Sequence, residues 1–184
     1  MRKMMVRTFI SIRIPEPSCL KGILEDVGRI GNVRPSPLSQ IHITLKFIGD
    51  VDEKKVPKVV ESVRSACRDR KAFGITLSGT GCFPNRNRPS VVWIGASPAD
   101  ELTSLADSIG RKLSSAGIQF DDKPFKAHIT IGRCKGPADL DGFLDSHKDD
   151  VFTEFTCSEV LVMKSVLSPA GAKHSVIERI PLSE

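Results

Sequence analysis

A chain of 184 residues, 40% hydrophobic and 27% charged, has the balance of a soluble globular protein and the length of a single domain. It has no apolar run long enough to span a bilayer and no signal-like stretch at Met1-Arg-Lys-Met-Met-Val6. Its five cysteines form no CxxC pair, which excludes a disulfide scaffold or a cysteine-based zinc site. The expectation is a cytoplasmic protein with reduced thiols, whose net charge of +5 is compatible with a polyanionic partner.

Val6 to Ile14 alternates and reads as a strand closed by Pro15. Leu20, Ile23, Leu24, Val27 and Ile30 at helical spacing predict a helix from Glu16, stopped by Gly31-Asn32. After a loop at Pro35-Ser-Pro37, the run Ile41 to Ile48 predicts a strand turned by Gly49-Asp50. Asp52 is an N-cap for a helix with Val56, Val59, Val60 and Val63 on its apolar face, and Pro57 is tolerated in its first turn. Phe73 to Phe83 is extended, Pro84 to Pro89 is a basic loop, and Ser90 to Ala96 is a strand with the only Trp.

The clearest helix runs from about Pro98 to Ala116, with Leu102, Leu105, Ala106, Ile109 and Leu113 in one stripe and Gly117 as its stop. A strand from Lys126 to Cys134 follows, then a shorter helix within Ala138 to Ser146. The strand-rich segment Val151 to Leu167 and a turn at Ser168-Pro-Ala-Gly171 lead to a last strand, Ser175 to Pro181.

Two of these strands carry nearly the same words, Ile41-His42-Ile43-Thr44 and Ala127-His128-Ile129-Thr130. Side chains alternate along a strand, so each His shares a face with its Thr. The frame around them repeats too: Phe9-Ile-Ser-Ile12 precedes His42 by 33 residues, and Val91-Val-Trp-Ile94 precedes His128 by 37. That points to a duplication. The expected fold is α+β and bilobal, with repeats over about residues 6–83 and 90–167 and a C-terminal strand at 175–181. Each lobe is a mostly antiparallel sheet with helices on its outer face. A pseudo-two-fold axis then brings the motif strands together in a cleft between the lobes.

Two imidazoles in one cleft suit acid–base chemistry at phosphorus, because unperturbed His titrates near ~6.5 and one ring can give a proton while the other takes one. The hydroxyls of Thr44 and Thr130 can donate to phosphate oxygens. Zinc would need a third His or a carboxylate. Neither motif holds an acidic residue, and His147 and His174 read as surface or loop residues. There is no Gly-x-Ser-x-Gly elbow, P-loop or dinucleotide fingerprint. Arg133 suits phosphate, but strict alternation from His128 sends it out of the cleft unless a bulge or strand end at Gly132 turns it in. Lys46 has favourable parity with His42 and reads as an exposed surface residue. Arg86 and Arg88 read as a solvated loop, with RNA backbone contact as the alternative.

Ile41-His-Ile-Thr-Leu-Lys-Phe-Ile-Gly49 and Ala127-His-Ile-Thr-Ile-Gly-Arg133 resemble the paired motifs of the two-histidine (2H) phosphoesterases. The segments Arg7-Thr-Phe-Ile-Ser-Ile12, Gly81-Cys-Phe-Pro-Asn85, Val92-Trp-Ile-Gly95 and Lys164-Ser-Val-Leu-Ser-Pro-Ala-Gly171 narrow the resemblance to RNA 2′,3′-cyclic phosphodiesterases, formerly called 2′-5′ RNA ligases. The resemblance implies metal-free, cofactor-free hydrolysis of a terminal 2′,3′-cyclic phosphate to a 2′-phosphomonoester. It implies His42 as proton donor to the leaving 3′ oxygen, His128 as acceptor from water, and Thr44, Thr130 and Arg133 as phosphate ligands. The partner it implies is RNA with cyclic phosphate ends, tRNA-derived ends included, acted on by a monomer without a membrane. Reverse 2′-5′ joining is the same chemistry run backwards. Where family members often carry an aromatic residue, this chain has His174. Two other readings stay open: a small substrate such as ADP-ribose cyclic phosphate, and a module that grips RNA ends without turnover.

Overall fold

The alternating runs become strands of one curled antiparallel sheet, with helices covering its outer face. The computed structural model describes residues 3–184. In chain order the elements are β1 (Met5–Arg13), α1 (Lys21–Gly28), β2 (Val33–Pro35), β3 (His42–Asp52), α2 (Val56–Cys67), β4 (Phe73–Phe83), β5 (Val91–Ser97), α3 (Ala99–Ser115), β6 (His128–Cys134), α4 (Asp141–Ser146), β7 (Val151–Cys157), β8 (Glu159–Ser168) and β9 (Gly171–Pro181). No helix among the described residues is long and apolar enough to cross a membrane.

The strand order is β7-β4-β5-β6-β3-β1-β8-β9, with β2 paired to the end of β6. The sheet therefore has two four-stranded halves that meet at the motif strands, β3 and β6, where Ile43 pairs with Ile129. This is the bilobal α+β architecture expected from the duplicated frame. β4 joins the half built on β6, through β5 and β7, while β8 joins the half built on β3, through β1 and β9.

Local chemistry explains the elements. Asp52 accepts from the Lys54 N–H at 3.0 Å and opens a short 3-10 turn ahead of α2, with Pro57 in the first turn where no helical N–H is lost. Asp100 and Glu101 sit in the first turn of α3, where they complement its dipole. Leu102, Leu105, Ala106, Ile109 and Leu113 are all fully buried, as the stripe predicts. Each of the large ones contributes about 1.5–3 kcal/mol by leaving water. A second, smaller cluster of Phe9, Leu161 and Met163, with Phe47 and Val176 packed on it, forms separately from the main core.

Three local expectations change. The helix from Glu16 opens as a 3-10 turn at Pro17–Leu20 before α1 begins. The loop at Pro35-Ser-Pro37 is preceded by β2, an unexpected three-residue strand on β6 that takes in Pro35. The strand with the first motif does not turn at Gly49 but runs on to Asp52. Gly49 adopts φ +83° beside an irregularity in the β1–β3 register, a backbone state that glycine takes without steric cost.

Candidate active site

With Ile43 opposite Ile129 on antiparallel strands, His42 stands across from Thr130 and Thr44 across from His128. Alternation buries both isoleucines completely and leaves the four motif side chains half-exposed on the other face. Diagonal positions on neighbouring strands lie roughly 7–8 Å apart, which lets two rings flank one phosphate. The four side chains line one groove of about 250 Å³, together with Ser36, Gln40, Arg133, Ala172 and His174.

Each imidazole is held through Nδ1 by a backbone carbonyl two residues earlier: Gln40 for His42 at 2.7 Å, Lys126 for His128 at 2.6 Å. A carbonyl only accepts, so Nδ1 carries the hydrogen and Nε2 is the basic nitrogen of each neutral ring. Nε2 of His42 lies 2.9 Å from the Thr44 hydroxyl, which donates to it when the ring is neutral. The Gln40 side chain donates to the Ala172 carbonyl and so ties the segment ahead of β3 to the β8–β9 hairpin.

The rings differ in surroundings. Phe9 stacks on His42 with centroids 5.0 Å apart, and the edge of His174 comes within 5.5 Å. Burial pushes the pKa of His42 down to about 4, against the raising effect of the Gln40 carbonyl; the charges of His174 and His128 lower it further. Burial also lowers His128, as do the charges of Lys126 and Arg133, while the Lys126 carbonyl opposes them. Phe83 meets His128 edge-on at 5.0 Å, and Trp93 lies 6.4 Å away. The indole lies so close over Gly81 that a Cβ there would stand 2.1 Å from it, so only glycine fits.

Two bulges decide which cation reaches the groove. In β6, Gly132 pairs with Val92 and Thr130 with Trp93, leaving Ile131 as the extra residue. The parity of the strand flips there, and Arg133 lines the groove with His128 and Thr130. In β3, Lys46 pairs with Ile10 and Thr44 with Ser11, leaving Leu45 as the extra residue. Lys46 shares a face with buried Ile10 and packs toward α3. A Cβ on Gly110 would lie 3.1 Å from its Cε, and its ammonium is 5.1 Å from the Phe120 ring centroid.

The reading of His174 as a surface or loop residue is corrected. It sits on β9, lines the groove, and packs edge-on against Phe9 at 4.8 Å. No motif marks it, because β9 reaches the site from the far end of the chain. His147 is bound instead to Asp150 at 2.7 Å, outside the groove. Arg86 braces the loop before β5 to α4 through Asp141 and Asp145, at 3.1 and 2.8 Å. All five cysteines are free, and burial pushes the Cys157 thiol up to about 12. Among the described residues, no group of three or more His, Cys, Asp or Glu side chains is arranged to hold a metal ion.

The model of the 2′-5′ RNA ligase superfamily matches residues 27–168. An RNA 2′,3′-cyclic phosphodiesterase of Archaeoglobus fulgidus is 32% identical over 169 residues, covering 90% of this chain and 94% of the relative. One of Thermotoga maritima is 33% identical over 175 residues, covering 94% and 93%. A solved structure from Thermus thermophilus superimposes with a TM-score of 0.82 at 29% identity, covering 96% of this chain and 97% of that one. The apo form of Escherichia coli LigT gives 0.76 at 21% identity over the full length of both and speaks to the fold alone.

Proposed function

The chain belongs to the 2′-5′ RNA ligase superfamily of 2H phosphoesterases, within its RNA 2′,3′-cyclic phosphodiesterase family, and from that premise we propose that it opens the 2′,3′-cyclic phosphate at RNA ends to a 2′-phosphomonoester. The observation that carries this reading is the convergence of His42, Thr44, His128 and Thr130 on one groove.

The step balances with two rings and one water. Nε2 of His128 takes a proton from water as its oxygen bonds to phosphorus; the P–O3′ bond breaks, and His42 gives its Nε2 proton to the departing 3′ oxygen. Thr44, Thr130 and Arg133 donate to the non-bridging oxygens as charge builds on them. His42 must be protonated for this role, although burial keeps it neutral in the free protein. The substrate supplies the correction, since a phosphate anion beside the ring favours its charged form. With a 5′-hydroxyl in place of water, the same step yields a 2′-5′ link.

RNA ending in a 2′,3′-cyclic phosphate, incubated in EDTA, should be converted to RNA with a 2′-phosphate end. Loss of turnover in EDTA with recovery on adding zinc would overturn the metal-free step. A kcat/KM higher for a small cyclic phosphate than for RNA would move the substrate to that class. Binding of RNA ends without turnover would reduce the protein to a recognition module.

A further inference from the structure

Past the motif residues, the strand seam carries another matched pair. β2 runs along the end of β6 and sets Arg34 directly opposite Arg133. Two backbone hydrogen bonds bracket the pair and fix it: the Ser36 N–H donates to the Ile131 carbonyl at 2.9 Å, and the Lys135 N–H to the Asn32 carbonyl at 2.7 Å. Residues directly opposite on paired strands share a face. The neighbours show which face it is. Val33 is buried, and a Cβ on Gly132 would lie 3.1 Å from it and 2.8 Å from Val27 of α1. Val33 thus faces the helices, and Arg34 beside it faces the groove side with Arg133.

Like charges placed directly across a strand pair destabilise the sheet. Arg70, Arg86 and Arg179 each meet a carboxylate. Among the described residues Arg34 and Arg133 form no ion pair, and both are exposed. An anion from outside the chain relieves their repulsion, and phosphate matches the planar fork of a guanidinium.

The order of residues along the seam says which phosphate each one meets. His128 stands across from Thr44, then Thr130 across from His42, then Arg133 across from Arg34. Arg133 lines the groove and Arg34 stands outside its lining, so the phosphate between the rings is in reach of Arg133 alone. Resting on the reaction proposed above, water enters at the His128 end and the ribose departs toward the His42 end, because attacking and leaving oxygens lie in line. The rest of an RNA strand hangs from that ribose and so continues toward Arg34. We propose that Arg34 binds the phosphodiester joining the terminal nucleotide to the one before it. Arg34 then selects RNA strands over free cyclic nucleotides, which lack that charge.

The test uses a dinucleotide ending in a 2′,3′-cyclic phosphate, made with either an ordinary phosphodiester or a neutral methylphosphonate as its internal linkage. Wild-type kcat/KM should favour the charged linkage about tenfold, and Arg34→Ala should cut that preference to about twofold or less. Arg34 is exposed, so folding is not at stake. A preference unmoved in Arg34→Ala overturns the proposal, and its loss in Lys126→Ala instead would send the strand out past His128. A wild type inert on both dinucleotides overturns the phosphodiesterase reading and this proposal with it. One that turns over both equally overturns this proposal alone.

Discussion

His42 and His128 hold matched places on paired strands, yet the strands around them make them different acids. His42 lies between Phe9 and His174, with its Nε2 engaged by Thr44 and its pKa driven to about 4. His128 stands beside half-buried Phe83, near the cations Lys126 and Arg133. The tripeptide decides which side chains point into the groove. The neighbours decide how tightly each ring holds its proton.

The largest test of that contrast is catalytic. His42→Ala and His128→Ala should each lower kcat by about 10²–10⁴-fold, and the double variant should fall little further, because the rings act as one unit. Wild-type turnover of the cyclic phosphate after either single change would break the pairing.

A second test uses stability. The folded protein holds His42 neutral, so between about pH 6.5 and pH 4 the unfolded chain binds a proton that the folded chain does not. Stability from this ring is therefore complete above that window and is lost as pH falls through it. The shift corresponds to about 3 kcal/mol. Urea unfolding at pH 7.5 and pH 4 should show a pH dependence smaller by most of that amount in His42→Asn. His128→Asn should change it less. Equal changes would make the two environments energetically the same.

The third test sets one bulge against the other. Arg133→Ala removes the proposed charge-assisted phosphate contact, worth about 1.5–3 kcal/mol, so kcat/KM should fall roughly 10–100-fold. Lys46→Ala should change it by less than about twofold. The opposite order would mean that strand parity, not the bulges, places the cations.

The motif strands, α3 and the four groove side chains were legible because each rests on a short-range period: two residues for a strand, 3.6 for a helix. The extra residues Leu45 and Ile131 break the period without leaving a sequence mark, so alternation assigns Lys46 and Arg133 to the wrong faces. β2 is too short to show a period and ends in a proline. His174 enters the groove through the register of β9 on β8, a long-range fact that no local pattern encodes.

Both rings are oriented by main-chain carbonyls, at Gln40 and Lys126. Every amino acid, proline included, supplies that oxygen, so positions 40 and 126 can change identity without either imidazole losing its acceptor. The tautomer of both rings is inherited from the path of the backbone. It is thereby sheltered from point mutation at the very residues that provide it.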